Sequence, residues 1–289
     1  MSIEVTLDIF SARLNPNWLL SDYQEEELSR RLERFETPTL SKPAGVFGRL
    51  GYRGFILRGS GESPQGGLRL LVHEGIVDFG QSQENRTADD RELEGWLLDT
   101  APQLEPSVRN FVALELKQPR LDSADLLSAR AVPVSSCPTC HAADAPAYTP
   151  GRWNVPSVQP FNNCYNYAND QITGTFAQPG RAHGLPSPAR NCPDVDSSAT
   201  ADGLARSTSF AAPLGAGAGW YVALVIWPGV DYHWYRQDDG GCWSHKAGKT
   251  AATDRDNGGR TITDPRHCNR GPYTTFCTYM ITNRGVVIH

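Results

Sequence analysis

The segment PFNNCYNYANDQITGTFAQPGRA, residues 160–182, decides how the C-terminal half of this chain is read. Asn162 or Asn163 is placed to cap a helix that begins at Cys164, and Tyr165, Ala168 and Ile172 then recur at helical spacing. A cysteine at a helix start meets the positive end of the helix dipole, which lowers its pKa and favours the reactive thiolate. The backbone N–H groups of the same turn are placed to cradle an oxyanion. Gln159, Asn162 and Asn163 are the side-chain donors available to complete such a hole.

A base is sought further along. The apolar run GWYVALVIWPG (219–229) reads as a buried strand and leads into DYHWYRQDDGGCWSHKAG (231–248). There, two β runs flank a turn at Asp238-Asp239-Gly240-Gly241, which predicts a hairpin. His233 opens its first strand and His245 closes its second, so the two imidazoles are expected side by side. Cysteine hydrolysis needs a base held by a third polar group. Asp231, Asp264 and His267 are substitutes for that third role.

A cysteine at a helix start, a histidine on a following strand and a polar residue on the next strand resemble the papain-like order. With histidine third, a hairpin later, the pattern is similar to the NlpC-type and CHAP-type cell-wall peptidases. The string CYNYAND is also similar to the cysteine-helix start of CHAP domains. The resemblance spans residues 155–250 and implies an α+β fold with the cysteine-bearing helix packed on an antiparallel sheet. It implies a cysteine peptidase or amidase that cleaves an amide bond through a thioester, in a peptide or peptidoglycan-like substrate. Cys164 would be the nucleophile, His233 the base and His245 the residue that orients it. A long Gly-, Pro- and Ser-rich stretch before Trp220 departs from the tighter peptidases and leaves substrate class open. The tail, with GPYTTFCTYM, also resembles uncharacterised proteins similar to insoluble shell-matrix proteins.

The other cysteines carry their own reading. Excluding Cys164, six remain, at 137, 140, 192, 242, 268 and 277, enough for up to three disulfides. Disulfides imply an oxidising compartment, whereas MSIEVTLDIF has no visible signal peptide. Export without a visible leader is the expectation, with a cytoplasmic protein as the other outcome. CPTCH (137–141) matches a c-type haem attachment motif, and its Cys-x-x-Cys is half of a structural zinc site, which Cys137, Cys140 and His141 would form with one distant ligand. A disulfide is the larger expectation for these cysteines. TDRDNGG (253–259) has the composition of part of a calcium loop, but the Glu that completes an EF-hand is missing, so a solvated turn is expected.

The halves differ in composition. Residues 1–130 hold 21 acids and 15 bases, and no Glu lies beyond Glu115, whereas all seven Cys lie at or after Cys137. This predicts an acidic α+β domain over 1–130, a linker over 131–153 and a hydrolase domain over 154–289. In the first domain, a strand is expected at Ile3–Ile9, a helix from Ser21 or Asp22 to about Phe35, strands at Gly51–Leu57 and Leu68–Phe79, and a helix at Asp89–Thr100. His73 reads as structural, and FSARLNPNW (10–18) as a rigid turn or a ligand loop. Partner-protein binding, targeting or inhibition of the second domain all remain open for this half.

The net charge of −5 without a basic stripe argues against nucleic acid as a partner. No apolar run is long enough for a membrane span, and nothing calls for an organic cofactor. Two other functions stay open beside hydrolysis. One is a non-enzymatic, disulfide-rich binding or matrix module with aromatics at 220, 221, 227, 232, 234, 235 and 243 on a binding face. The other is a secreted toxin or effector on the same fold.

Overall fold

A computed structural model describes residues 2–35, 37–39, 48–59, 69–79, 85–87, 91–118 and 136–289. The chain is α+β and forms two compact units. The first takes Met1–Ile9, Asn15–Val46 and Tyr52–Ser123; the second takes Phe10–Leu14, Phe47–Gly51 and Ala124–His289. The boundary expected at 130/131, the linker's first residues 131–135, Leu68 and Asp89 lie outside the described residues.

The first unit is built on a seven-stranded antiparallel sheet. Its strands are β1 (Ile3–Leu7), β2 (Asn17–Leu19), β3 (Thr37–Thr39), β4 (Phe55–Gly59), β5 (Arg69–His73), β6 (Ile76–Asp78) and β7 (Asn85–Thr87), in the order β2-β1-β4-β5-β6-β7-β3. Ile3, Val5 and Leu7 alternate inward, as a half-buried strand requires. The segment expected as one strand over 68–79 is a hairpin, broken where Glu74 takes a left-handed φ of 54° before Gly75.

Helix α1 (Asp22–Leu32) starts at Ser21 through a capping box with Gln24, satisfying two otherwise orphaned N–H groups. Helices α2 (Glu92–Thr100) and α3 (Pro106–Leu116) follow, α3 having gone unpredicted. Buried Glu94 accepts bonds from the Tyr52 hydroxyl (2.6 Å) and the Gly75 amide (2.7 Å), tying α2 to the β5–β6 turn. His73 is buried against Tyr52, in the structural role expected of it.

The second unit centres on a six-stranded antiparallel sheet. Its strands are β8 (Ala205–Ser207), β9 (Trp220–Trp227), β10 (Asp231–Gln237), β11 (Trp243–Lys246), β12 (Ala252–Thr253) and β13 (Thr275–Thr282), in the order β12-β11-β10-β9-β13-β8. Every residue of β9 is buried, which its unbroken apolar sequence anticipates. The β10–β11 hairpin closes at the expected turn, where Gly241 N–H donates to the Asp238 carbonyl at 2.8 Å.

Helices α4 (Pro150–Trp153), α5 (Cys164–Ala168) and α6 (Cys192–Ala201) pack around this sheet. Tyr165 of α5 packs on Trp234, and the Arg236 guanidinium lies 4.3 Å from the Tyr167 ring centroid. Helix α5 therefore covers the face of β10 that presents Trp234 and Arg236. It is shorter than expected: it ends at Asn169, Asp170 turns left-handed at φ 52°, and Ile172 is left outside it and exposed.

Two disulfides brace this unit. Cys137 is joined to Cys242 and Cys192 to Cys277, leaving Cys140, Cys164 and Cys268 as thiols. The third disulfide is not formed.

Candidate functional site

Cys164 begins a helix, as expected, but in a closed environment. Its side chain is fully buried. Burial pushes its thiol up to about 12; a Ser11 hydrogen bond lowers it and the charge of Asp231 raises it further. The expectation of a lowered pKa is thus overturned. A five-residue helix aligns few peptide dipoles, and desolvation of a thiolate outweighs their field.

The helix's own cap occupies the groups expected to form an oxyanion hole. Asn163 Oδ1 accepts from the amides of Tyr165 (3.0 Å) and Asn166 (3.2 Å), and Asn166 Oδ1 accepts from the Asn163 amide at 3.1 Å. Asn163 Nδ2 donates to the carbonyls of Ala177 (2.8 Å) and Ala12 (3.3 Å). Asn162 donates to the Val158 carbonyl and accepts from the amides of Thr173 and Gly174. Gln159 donates to the Lys249 carbonyl at 3.2 Å. All three candidate donors have structural partners, and Asn163 has them because a buried helix start must satisfy its orphaned N–H groups within the protein.

His233 and His245 are brought together, their rings edge to face with centroids 4.9 Å apart. In register, His245 stands opposite Tyr235, so the histidines are diagonal neighbours on one face of the hairpin. Alternation along β10 sends His233 and Tyr235 to one face and Trp234 and Arg236 to the other, where α5 packs. His245 Nε2 lies 3.0 Å from the Arg255 carbonyl.

The link between Cys164 and His233 is Ser11. Its hydroxyl hydrogen-bonds Nδ1 of His233, and its side chain offsets part of the rise that burial imposes on the Cys164 thiol. Ser11 belongs to the five-residue piece Phe10–Leu14 of the second unit. Asp231 holds that piece: one carboxylate oxygen accepts from the Ser11 amide (2.7 Å), the Ala12 amide (3.2 Å) and the Tyr273 hydroxyl (2.6 Å). Burial raises the Asp231 pKa above the ordinary carboxylate value, and those three bonds oppose the rise.

Asp231 is thus engaged by the loop rather than by an imidazole. Asp264 and His267, the other substitutes, pair with each other at 3.1 Å on the surface. Ser11, Tyr273 and Lys246 were missed by sequence reasoning. The only signal was FSARLNPNW, set apart as a loop without a partner.

Lys246 donates to the carbonyls of Gln159 (2.6 Å), Asn162 (2.5 Å) and Gly248 (2.6 Å), clamping the approach to α5. Cys137 is consumed by its disulfide, which removes it from the zinc set with Cys140 and His141. Among the described residues no cluster of His, Cys, Asp and Glu is arranged for a metal ion. Asp256 of the TDRDNGG segment accepts from the amides of Gly258, Arg260 and Asn269, as a turn-organising residue does. The seven aromatics from Trp220 to Trp243 are all buried, so they do not form a binding face.

No family model matches the chain, and no solved structure matches it. Among curated proteins, the insoluble matrix shell protein 1 of Ruditapes philippinarum is 47% identical over 133 residues, 46% of this chain and 87% of that protein. That likeness supports the shell-matrix resemblance of the tail.

Proposed function

We propose a structural role for this chain, which belongs to the insoluble matrix shell protein 1 family: an extracellular matrix component braced by disulfides. The observation that carries this reading is the 47% identity to the shell matrix protein over 87% of its length, and the closed state of Cys164 argues against a nucleophile. Its thiol is wholly buried and shifted away from the thiolate, and the donors around it are committed to the fold. Two disulfides fit an oxidising, extracellular setting. Antibody labelling in the organism that makes the protein tests this. Signal in an extracellular, detergent-insoluble fraction is expected, and signal confined to the cell interior would overturn it.

A second reading, amide hydrolysis, is favoured by one observation, the Ser11 side chain that hydrogen-bonds His233 and offsets part of the burial-driven rise in the Cys164 pKa. In that reading His233 takes the thiol proton by way of Ser11, Cys164 attacks the amide carbonyl, the C–N bond breaks as the amine leaves with that proton, and water then cleaves the thioester to release the acid and restore the thiol. Iodoacetamide labelling of the native protein separates the two. Fast modification of Cys164 well below pH 8, lost in His233→Ala, supports the hydrolase; a protected Cys164 supports the matrix role.

A further inference from the structure

The function above leaves one feature unused, three cysteines gathered at the turn of the β10–β11 hairpin. Cys137 is exposed and bonded to half-buried Cys242; Cys140, three residues on, is a half-buried thiol whose Sγ lies 3.7 Å from the Ala142 carbonyl. The remaining thiols are unsuited to surface chemistry. Cys164 is fully buried, and Cys268 sits 3.9 Å from the Tyr235 hydroxyl with its thiol pushed up to about 12 by burial. A surface disulfide with a thiol beside it is the arrangement that exchanges most readily, since attack needs access to one sulfur and a thiol able to ionise.

We propose that Cys137, Cys140 and Cys242 form a thiol–disulfide exchange site that joins one copy of the chain covalently to another. The Cys140 thiolate of one copy attacks Sγ of Cys137 in a second copy. The new Cys140–Cys137 bond forms as the Cys137–Cys242 bond breaks, and the electron pair leaves on Sγ of Cys242. That thiolate takes up a proton or attacks the disulfide of a third copy. One disulfide is made for each one broken, so the step consumes no oxidant, and each copy added leaves the number of thiols unchanged.

Cys137 is the target because it is the more exposed residue of the pair. Exchange within one copy is opposed by the packing of the CPTC segment on the hairpin turn. Gly241 takes φ +88°, and a Cβ there would overlap the Pro138 carbonyl and crowd the Cys140 amide. The segment also keeps anchors that do not depend on the disulfide. Leu214 N–H donates to the His141 carbonyl (2.8 Å), Ala143 N–H to the Leu214 carbonyl (3.0 Å) and Asp239 N–H to the Pro146 carbonyl (3.1 Å). Opening the bond therefore leaves residues 141–146 in place. The exchange site stands on this cysteine geometry and does not depend on the matrix role.

The test mixes isotopically light and heavy full-length protein without oxygen or reductant, from neutral to mildly alkaline pH. Acid quenching, non-reducing electrophoresis and peptide mapping then follow. Disulfide-linked multimers are expected to accumulate faster as pH rises, with Cys140–Cys137 peptides carrying one light and one heavy partner. Cys140→Ser should slow them by about tenfold or more, while Cys268→Ser should not. If Cys140→Ser does not fold, blocking Cys140 by alkylation of the native protein gives the same readout. Equal multimer formation without the Cys140 thiol, linkages confined within single copies, or no multimers would each overturn the proposal.

Discussion

The Ser11 hydroxyl bonds Nδ1 of His233 across a sequence separation of 222 residues, and both side chains are fully buried. The bond joins the Phe10–Leu14 piece to β10, beside the Asp231 carboxylate that receives the Ser11 and Ala12 amides. Ser11→Ala removes a buried hydroxyl that hydrogen-bonds an imidazole. A loss of about 1–3 kcal/mol in urea unfolding is expected. A change below about 0.5 kcal/mol would show that the bond contributes nothing to stability.

The raised thiol of Cys164 predicts a pH dependence with a definite sign. Its folded pKa of about 12 lies above the ordinary 9.0, so the folded state holds the proton longer than the unfolded chain. Its contribution is fully present below pH 9 and is lost as pH rises toward 12. Denaturation midpoints measured across that window should fall less steeply in Cys164→Ala than in the unsubstituted protein. Parallel curves would mean that the thiol is not protected from ionisation by burial.

Lys246 donates to three carbonyls in a buried site. Lys246→Met fills much of the volume but strips those acceptors of a charged donor. The expected cost is about 2–4 kcal/mol. Hydrogen exchange should locate the loosening at residues 159–168 before the rest of the second unit; uniform loosening would contradict the clamp.

Asn163 caps α5 with Oδ1 while its amide holds Ala12 and Ala177. Asn163→Ala should destabilise the fold by about 1–2 kcal/mol. Asn163→Asp keeps the cap acceptor and loses the amide donor, so its unfolding free energy should fall between the two. An Asp variant no better than Ala would assign the effect to the donor bonds alone.

The Cys192–Cys277 disulfide ties the start of α6 to β13 across 85 residues. Replacing both cysteines by Ser should lower stability by about 2–5 kcal/mol, chiefly by freeing the unfolded chain. The melting temperature of the variant under non-reducing conditions measures this, and an unchanged value would show that the cross-link contributes nothing.

Much of the second unit was legible from local sequence. The run of β9, the Asp238–Gly241 turn and the asparagine cap before Cys164 each rest on contacts between near neighbours. His233 and His245 were expected together, and their rings meet because hairpin register is a local property. The first unit was less legible: its α3 helix carried no recognised signal, and a hairpin stood where one strand was expected.

The sequence by itself determined that a cysteine begins a helix, that two histidines share a hairpin and that the cysteine-rich half differs from the acidic one. Only the tertiary structure decided that Cys164 is sealed from solvent, that Ser11 meets His233, and that Cys137 is taken by Cys242 while Cys140 stays reduced. The physical reason is range. Caps, turns and strand periodicity are set by residues a few positions apart. Burial of a thiol and pairing of cysteines 105 residues apart depend on how distant pieces of chain pack. Cys164 shows the consequence: a short helix's dipole pulls its pKa one way, and desolvation, which no local pattern records, pushes it further the other.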